Sequence, residues 1–156
     1  MHKEHHYQLQ TVWQGNRGEG TRTYQAYGRE YVVRLTGKPD LAGSADPAFR
    51  GDPARHNPED LLLAALSACH MLSYLHLCAT AKVIVTAYED FAEGVMELDG
   101  SGGGRFTRAV LKPRVTVLSA DMIETAEGLH GRASALCFIR NSCNFPVLHE
   151  ATTLVG

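Results

Sequence analysis

The longest apolar run of the chain lies between Asn57 and Ala79 and predicts one long helix. Asn57 can cap the helix, Pro58 is favoured at its first position, and Glu59 and Asp60 place negative charge at the positive end of its dipole. Apolar residues then occur on every side, so we expect the helix to be buried all round. It would span roughly 33 Å, which predicts a central helix that runs through the core or is buried by a second subunit.

A membrane span is the alternative interpretation of this run, because its length suits a bilayer. Two histidines, two serines and a tyrosine interrupt it, however, and the chain has neither a second hydrophobic segment nor a basic cluster flanking this one. We therefore expect no membrane partner.

Before the helix, alternating apolar and polar residues predict a small antiparallel meander with strands at residues 7–13, 23–26 and 30–36. A turn rich in glycine ends the first strand. Residues 37–56 are broken by glycine and proline and predict a long loop, a kind of segment that is often functional.

After the helix, residues 83–91 and 95–98 read as strand, residues 100–104 as a flexible hairpin loop, and residues 106–118 as a further strand with Pro113 at an edge or bulge. A second helix is predicted to begin near Asp121, with Glu124 completing a capping box. Its apolar stripe runs from Ala126 to Cys137, and residues 145–148 predict a last strand. The order predicts an α+β fold in which residues 1–156 form a single domain.

Composition narrows the range of functions to expect. The 156 residues suit one domain with a sizeable core, and 15 basic against 17 acidic side chains give a formal charge of −2. This balance argues against a nucleic-acid partner. The amino-terminal residues contain no apolar segment of the secretory type, so we expect a cytoplasmic protein.

Four cysteines, Cys69, Cys78, Cys137 and Cys143, are the candidate chemistry. In a reducing cytosol they are expected to be buried thiols, ligands or catalytic groups rather than structural disulfides. Cys69 and Cys137 stand out because each lies in a predicted buried helix beside polar residues that an apolar core does not need. Two thiols from different elements can form a reversible disulfide if the fold brings them together, which spacing alone does not show.

The stretch NPEDLLLAALSAC, followed later by CFIRNSCNFPV, resembles the OsmC/Ohr family of thiol peroxidases, named for osmotically inducible and organic hydroperoxide resistance proteins. The segments GSADPAFRGD and HMLSYLHLCA are similar to an OsmC-like branch of that family. The resemblance extends over essentially the whole chain. It implies an OsmC-like fold, with antiparallel sheets around two long central helices in an intertwined homodimer.

The resemblance also implies an antioxidant activity, the reduction of organic hydroperoxides and of hydrogen peroxide, without a cofactor. Cys69 matches the peroxidatic cysteine, which becomes a sulfenic acid, and Cys137 matches the resolving cysteine, which then forms a disulfide with it. An external dithiol, lipoyl-type or thioredoxin-like, would reduce the disulfide. Here Cys137 is followed by Phe138, where many members have proline, and Cys143 remains an alternative resolver.

The resemblance further implies that an arginine stabilises the thiolate and that a glutamate binds the arginine. Glu59 matches the glutamate, Arg50 is the first choice for the arginine, and Arg17 is the second. Physical chemistry requires such a partner, because burial raises a thiol pKa and a fixed guanidinium opposes that effect. Glu59 and Cys69 would lie roughly 15 Å apart and about 80° off one helix face, so either a long arginine bridges them or a second chain supplies one of them, which favours the homodimer.

The remaining residues carry simpler interpretations. Cys78 is expected to be structural, and His70 and His76 to be core or pocket-lining residues. No ligand pair has a zinc-motif spacing, so no metal site is predicted, and the amino-terminal His2, His5 and His6 are read as a frayed terminus. The alternative function is a small-molecule or lipid-like binding protein of the same fold, with redox-sensitive but non-catalytic thiols.

Overall fold

The computed structural model describes residues 3–156. The chain divides into two compact units, residues 1–61 and residues 62–156, and the boundary falls within the first helix. The single domain expected over residues 1–156 remains a prediction. Of the amino-terminal histidines, His2 lies outside the described residues.

The first unit contains an antiparallel sheet of three strands in the order β1-β2-β3, comprising β1 (Gln10–Trp13), β2 (Tyr31–Arg34) and β3 (Leu41–Gly43). The predicted meander is therefore confirmed, but its third strand comes from the predicted loop. The strand expected at residues 23–26 is wrong, since the Ala26 N–H donates to the Thr23 carbonyl at 3.1 Å and closes a turn. A short 3₁₀ turn, Pro47–Phe49, follows the sheet.

Helix α1 (Pro58–Thr80) begins where its sequence predicts. The Asp60 N–H donates to Asn57 Oδ1 at 2.8 Å, and the Asn57 N–H donates to Asp60 Oδ2 at 3.3 Å. This reciprocal pair satisfies two backbone donors that the first turn leaves free. At the other end Lys82 adopts a left-handed φ of 61°, and the Val83 N–H closes the helix on the Cys78 carbonyl.

The expectation that α1 is buried all round is wrong for the single chain. Its buried side chains fall on one side, at Leu66, His70, Tyr74, Leu77 and Cys78. Ala64, Ala68 and Leu72 recur every fourth residue on the exposed side, and Leu72 is 64% exposed. The most apolar 18-residue window of α1 has a mean hydropathy of 1.6, which would also suit a membrane span, but core helices of soluble proteins pass the same test.

The second unit contains two sheets of three strands, ordered β4-β7-β9 and β5-β6-β8. Their strands are β4 (Val85–Asp90), β5 (Glu93–Leu98), β6 (Gly104–Leu111), β7 (Pro113–Val117), β8 (Val147–His149) and β9 (Thr152–Val155). Each sheet joins one antiparallel pair to one parallel pair, and the parallel pairs are β7 with β9 and β6 with β8. The expectation of antiparallel sheets is therefore wrong for this unit.

Two predicted strands of this unit are each divided in the structure. Residues 83–98 change sheets after Asp90, and residues 106–118 are interrupted at Lys112, whose N–H donates to Asp90 Oδ1 at 2.7 Å. Pro113 then begins β7 and is buried, since a proline at the first position of a strand removes few ladder hydrogen bonds. The sequence reading also missed β9.

The second predicted helix is likewise divided. A 3₁₀ turn (Ala120–Met122) precedes α2 (Ile123–Leu136), and a separate short helix, α3 (Phe138–Asn141), follows. No side chain caps the 3₁₀ turn or α2, so the predicted capping box is wrong. Cys137 leaves the helix with φ −69° and ψ 109°, which are extended angles. Of the two long helices expected, only α1 exceeds twenty residues.

The second unit has two hydrophobic clusters, and α1 contributes to both. One joins Tyr74, Leu77 and Cys78 of α1 to the buried face of α2 and to β7. The other gathers Leu66 of α1 with residues of β6 and β8. The two clusters therefore contact α1 at two points along its buried face, which fixes the position of the residues between Leu66 and Tyr74.

Candidate active site

The thiols of Cys69 and Cys137 meet in the second unit. Cys69 lies on α1 and is partly buried, whereas Cys137 is fully buried between α2 and α3. The Cys69 thiol lies close enough to the Cys137 thiol to affect its pKa, and both residues are free cysteines. The fold thus brings together the two thiols that the sequence singles out.

The break between α2 and α3 fixes the Cys137 sulfur. The Cys137 N–H donates to the Ser134 carbonyl at 3.3 Å, and its Sγ accepts from the Arg140 N–H at 3.3 Å. The sulfur therefore acts as the cap of α3, and the Asn141 side chain ties the junction to the Ala135 carbonyl at 2.9 Å. The extended conformation at this one residue turns the sulfur away from the course of α2.

Burial is the main cause that raises the pKa of Cys137 well above its ordinary value, and the hydrogen bond with Cys69 adds to it. The Arg140 N–H acts in the opposite direction. Cys137 therefore remains protonated at neutral pH and can donate its hydrogen to the Cys69 sulfur. Of the two thiols, the partly exposed Cys69 is the one that a substrate can approach.

The other two cysteines have different surroundings. The Cys143 thiol donates to the Ile139 carbonyl at 3.3 Å and packs against the second cluster, and burial raises its pKa. Cys78 is 1% exposed within the first cluster, and burial also raises its pKa. These surroundings suit structural thiols, although Cys143 lies near enough in sequence to Cys137 to need a direct test.

The polar residues near Cys69 mainly bind α1 to its neighbours. Ser67 donates to Asp90 Oδ2 at 2.5 Å, and the same carboxylate accepts from the Lys112 backbone through its other oxygen. His70 is 1% exposed, with Nε2 3.1 Å from Nδ1 of His130. Burial is the main cause that lowers the pKa of each of these histidines to about 4, so the pair is uncharged at neutral pH.

Within residues 3–156, no group of three or more histidine, cysteine, aspartate or glutamate side chains is disposed to hold a metal ion. His76 of α1 is exposed to solvent.

Glu59, the predicted partner of the thiolate-stabilising arginine, lies in the first unit. Its Oε2 atom is buried and has no hydrogen-bond partner among the described residues. It lines a cavity of about 200 Å³ together with Arg29, Tyr31, Asp46 and Phe49 among others. Burial raises the pKa of Tyr31, and the Glu59 charge raises it further. A buried carboxylate oxygen without a donor is costly, so this position suits a cationic or hydrogen-bonding group.

None of the arginines within residues 3–156 forms an ion pair with Glu59 in the single chain. Arg17 is bound to Glu30, with Nη2 2.5 Å from Oε1. Arg50 is exposed, follows the 3₁₀ turn with a left-handed φ of 66°, and has its Cζ 6.0 Å from the Tyr24 ring centre.

Arg29, which the sequence analysis did not single out, is the arginine nearest to Glu59 in the sense that it lines the same cavity. Its guanidinium donates to the Tyr27 and Tyr24 carbonyls at 2.5 and 2.8 Å. The guanidinium lies 4.3 and 4.0 Å from the ring centres of the same two tyrosines. The sequence feature that could have drawn attention to Arg29 is the pair of tyrosines shortly before it.

A family model described as OsmC-like protein matches residues 51–150, most of the chain. The chain belongs to the OsmC-like family. An OsmC-like protein of unknown function from Vibrio cholerae O1 biovar eltor has a solved structure that is similar to it, with a TM-score of 0.85 and 29% identity over 96% of this chain and 100% of that one. No curated protein matches the chain.

Two further OsmC-like structures share the fold at lower identity. An organic hydroperoxide resistance protein OsmC from Legionella pneumophila has a TM-score of 0.68 and 20% identity, covering 97% of this chain and 99% of that one. An organic hydroperoxide resistance protein from Elizabethkingia anophelis has a TM-score of 0.68 and 18% identity, covering 99% of this chain and all of the other. The predicted family and its OsmC-like fold are thus confirmed, and the fold combines helices with mixed sheets.

Proposed function

We propose that this OsmC-like protein is a cytoplasmic, homodimeric cysteine peroxidase that reduces organic hydroperoxides. The observation that supports it most is the contact between a partly exposed thiol, Cys69, and a buried, protonated thiol, Cys137. Names of related structures that refer to organic hydroperoxide resistance support the same substrate class.

In the first step the Cys69 thiolate attacks the terminal oxygen of the hydroperoxide. A sulfur–oxygen bond forms as the oxygen–oxygen bond breaks, so the sulfur loses two electrons and the hydroperoxide is reduced. The leaving alkoxide takes a proton and departs as an alcohol, and Cys69 is left as a sulfenic acid.

In the second step Cys137 attacks the Cys69 sulfenic sulfur. The sulfur–sulfur bond forms, the sulfur–oxygen bond breaks, and the hydroxyl group leaves as water with the Cys137 proton. Since Cys137 already contacts Cys69, this step needs little rearrangement of the chain. An external dithiol, lipoyl-type or thioredoxin-like, then reduces the disulfide by exchange and closes the cycle.

The first step needs a cation near the Cys69 sulfur, and Arg50 is our choice. Arg17 is already bound to Glu30, and Arg29 to two carbonyl groups, whereas Arg50 has no ion-pair partner among residues 3–156. Among the described residues, none donates a hydrogen bond to the buried oxygen of Glu59. An arginine held by Glu59 would place a fixed positive charge at the site.

The homodimer rests on the exposed side of α1. Ala64, Ala68 and Leu72 form an apolar stripe of small and aliphatic side chains, which suits close packing against a second copy of α1. A second chain would also remove the difficulty that Glu59 and Cys69 lie far apart along one helix. In the proposal, therefore, each site takes residues from both chains.

Titration of free thiols after addition of one equivalent of organic hydroperoxide tests the proposal. We expect the reduced protein to lose two thiols per chain, and Cys69→Ser to lose none. Cys78→Ser is the matched control on the same helix and should still lose two. Unchanged thiols in the unsubstituted protein would contradict the peroxidase function.

Unchanged thiols would instead favour the alternative function, a small-molecule or lipid-like binding protein. The observation in its favour is the cavity of about 200 Å³ beside Glu59, which has aromatic walls at Tyr31 and Phe49. Binding of an apolar ligand would then protect the protein against thermal unfolding without any change in its thiols.

A further inference from the structure

We propose that the hydrogen bond between His70 and His130 is a clamp that sets the distance between the two reactive thiols. His70 directly follows Cys69 on α1, and His130 lies on α2, which ends at Leu136 just before Cys137. The imidazole pair thus joins the two helices whose residues must meet. The inference rests on the proposed redox role of Cys69 and Cys137 and adds positioning residues to it.

The geometry of the pair is that of a direct hydrogen bond. The Nε2 atom of His70 and the Nδ1 atom of His130 lie 3.1 Å apart, and the two ring planes differ by 2°. The ring centres are 5.4 Å apart, as expected when two coplanar imidazoles face each other through their nitrogen atoms. One ring donates and the other accepts, which requires both to be neutral or the pair to share one added proton.

The surroundings hold the pair rigidly. Each histidine is 1% exposed, and the Tyr74 ring is stacked on His130 at 4.0 Å. The Tyr74 hydroxyl donates to the Ala126 carbonyl at 3.1 Å, a second link from α1 to α2. His149 of β8 lies over the open side, with its ring centre 5.7 Å from His70 and 5.8 Å from His130.

The pair is an unusual choice for core filling alone. The Nε2 atom of His130 is buried and has no hydrogen-bond partner in the part of the chain that the structure describes, which costs stability that a pair of aliphatic side chains would not cost. What the imidazoles provide in return is direction, since a hydrogen bond between two rings fixes their separation and their orientation along the helix axes. A disulfide between Cys69 and Cys137 likewise requires a fixed separation and orientation of α1 and α2.

The test is the thiol–disulfide equilibrium of the Cys69–Cys137 pair, measured against dithiothreitol or glutathione buffers. His70→Phe and His130→Leu, singly and together, remove the hydrogen bond. We expect each to favour the dithiol form by about tenfold, which corresponds to roughly 30 mV in the reduction potential. The double variant should cost less than the two single changes added together, because they remove the same bond.

Conservative variants provide the rescue. Gln places an amide near the position of Nε2 and Asn near that of Nδ1, so His70→Gln and His130→Asn should largely restore the equilibrium. Tyr74→Phe is the matched control, since it removes the other link between α1 and α2 at a greater distance from the thiols, and we expect it to have a smaller effect. Thermal unfolding of every variant separates a loss of stability from a change in the potential.

An unchanged potential in His70→Phe and His130→Leu, or an equal shift in Tyr74→Phe, would overturn the clamp. Because the buffers themselves supply the oxidant and the reductant, this result does not depend on the substrate. If hydroperoxide fails to oxidise the unsubstituted protein while the potentials shift as expected, the peroxidase function fails and the clamp stands. A protein that forms no Cys69–Cys137 disulfide in any buffer would overturn both.

Discussion

The thiol pair of the second unit and the charged residues of the first unit differ in how completely a single chain assembles them. Cys69 and Cys137 are in contact, and backbone and side-chain hydrogen bonds fix the elements on which they lie. Glu59, in contrast, has a buried oxygen without a donor, and Arg50 has no ion-pair partner within residues 3–156.

The difference follows from the elements that carry the residues. Packed helices of the second unit place the thiols, because a helix face fixes its side chains relative to a core. The arginines lie in turns of the first unit, where a long flexible side chain binds the nearest acceptors, as Arg17 binds Glu30 and Arg29 binds two carbonyl groups. We therefore propose that the two thiols of the site are assembled within one chain, and that the arginine and glutamate of the site need a second chain.

The largest expected effect comes from breaking the thiol pair itself. Cys137→Ser should abolish the disulfide, so that hydroperoxide consumes one thiol and leaves a sulfenic acid on Cys69 that a dimedone-type reagent traps. Mass spectrometry of the labelled protein measures this product. Rapid loss of two thiols per chain in Cys137→Ser would show that another cysteine resolves the intermediate.

The next effect tests the arginine and glutamate of the site. Arg50→Ala should slow the oxidation of Cys69 by roughly tenfold to a hundredfold, because the thiolate loses a charge-assisted partner worth about 1.5–3 kcal/mol. Glu59→Gln should slow it less, since the arginine would remain but be held less firmly. Stopped-flow measurement of thiol loss compares these variants with Arg17→Ala and Arg29→Ala, and a larger effect in either of those two would reassign the arginine.

A substitution in the exposed stripe of α1 would separate the contribution of the thiol pair from that of the charged residues. Leu72→Glu places a charge on the apolar face that we assign to the second copy, so we expect the protein to become monomeric and to oxidise more slowly. Its Cys69–Cys137 disulfide should still form in redox buffer, because that pair lies within one chain. Sedimentation measures the oligomeric state, and a dimer unaffected by Leu72→Glu and by Ala68→Glu would exclude this face.

A smaller effect concerns stability against pH. The pKa of His70 and of His130 falls to about 4 in the folded chain from an ordinary value of about 6.5, mainly through burial, with His149 lowering both and Asp90 raising that of His70. Between these values the unfolded chain binds more protons than the folded one. The free energy of unfolding should therefore have its full value above pH 6.5 and decrease as the pH falls towards 4.

Denaturant unfolding across this range measures the loss. The double variant His70→Phe/His130→Leu should show a flatter profile than the unsubstituted protein, since it no longer carries the two buried groups. An identical pH dependence in the variant would show that other residues are responsible.

The last substitution is expected to have no effect on disulfide formation. Cys143→Ser should leave the rate and yield of the disulfide unchanged, because the Cys143 thiol is bound to the Ile139 carbonyl and packs into a cluster. Peptide mapping compares the variant with the unsubstituted protein. A reduced yield would return Cys143 to its place as an alternative resolver.

The sequence predicted the start of α1, because capping residues and a long apolar run act locally. The roles of the two thiols remain a prediction. The sequence did not predict that Cys137 leaves the helix, since the apolar stripe continues past Leu136 and the break depends on tertiary contacts. The sequence also did not predict the buried pairing of His70 with His130, because the partners come from elements far apart in sequence. Nor does the periodicity of α1 distinguish a side covered by its own core from one left exposed.

The most direct test of the account is to map the disulfide that forms after one equivalent of organic hydroperoxide. The reduced protein is treated, alkylated and digested without reductant, and the cross-linked peptides are identified by mass spectrometry. The account predicts one dominant link, between Cys69 and Cys137 of the same chain. A link from Cys69 to Cys143, a link between chains, or the absence of any link would contradict it.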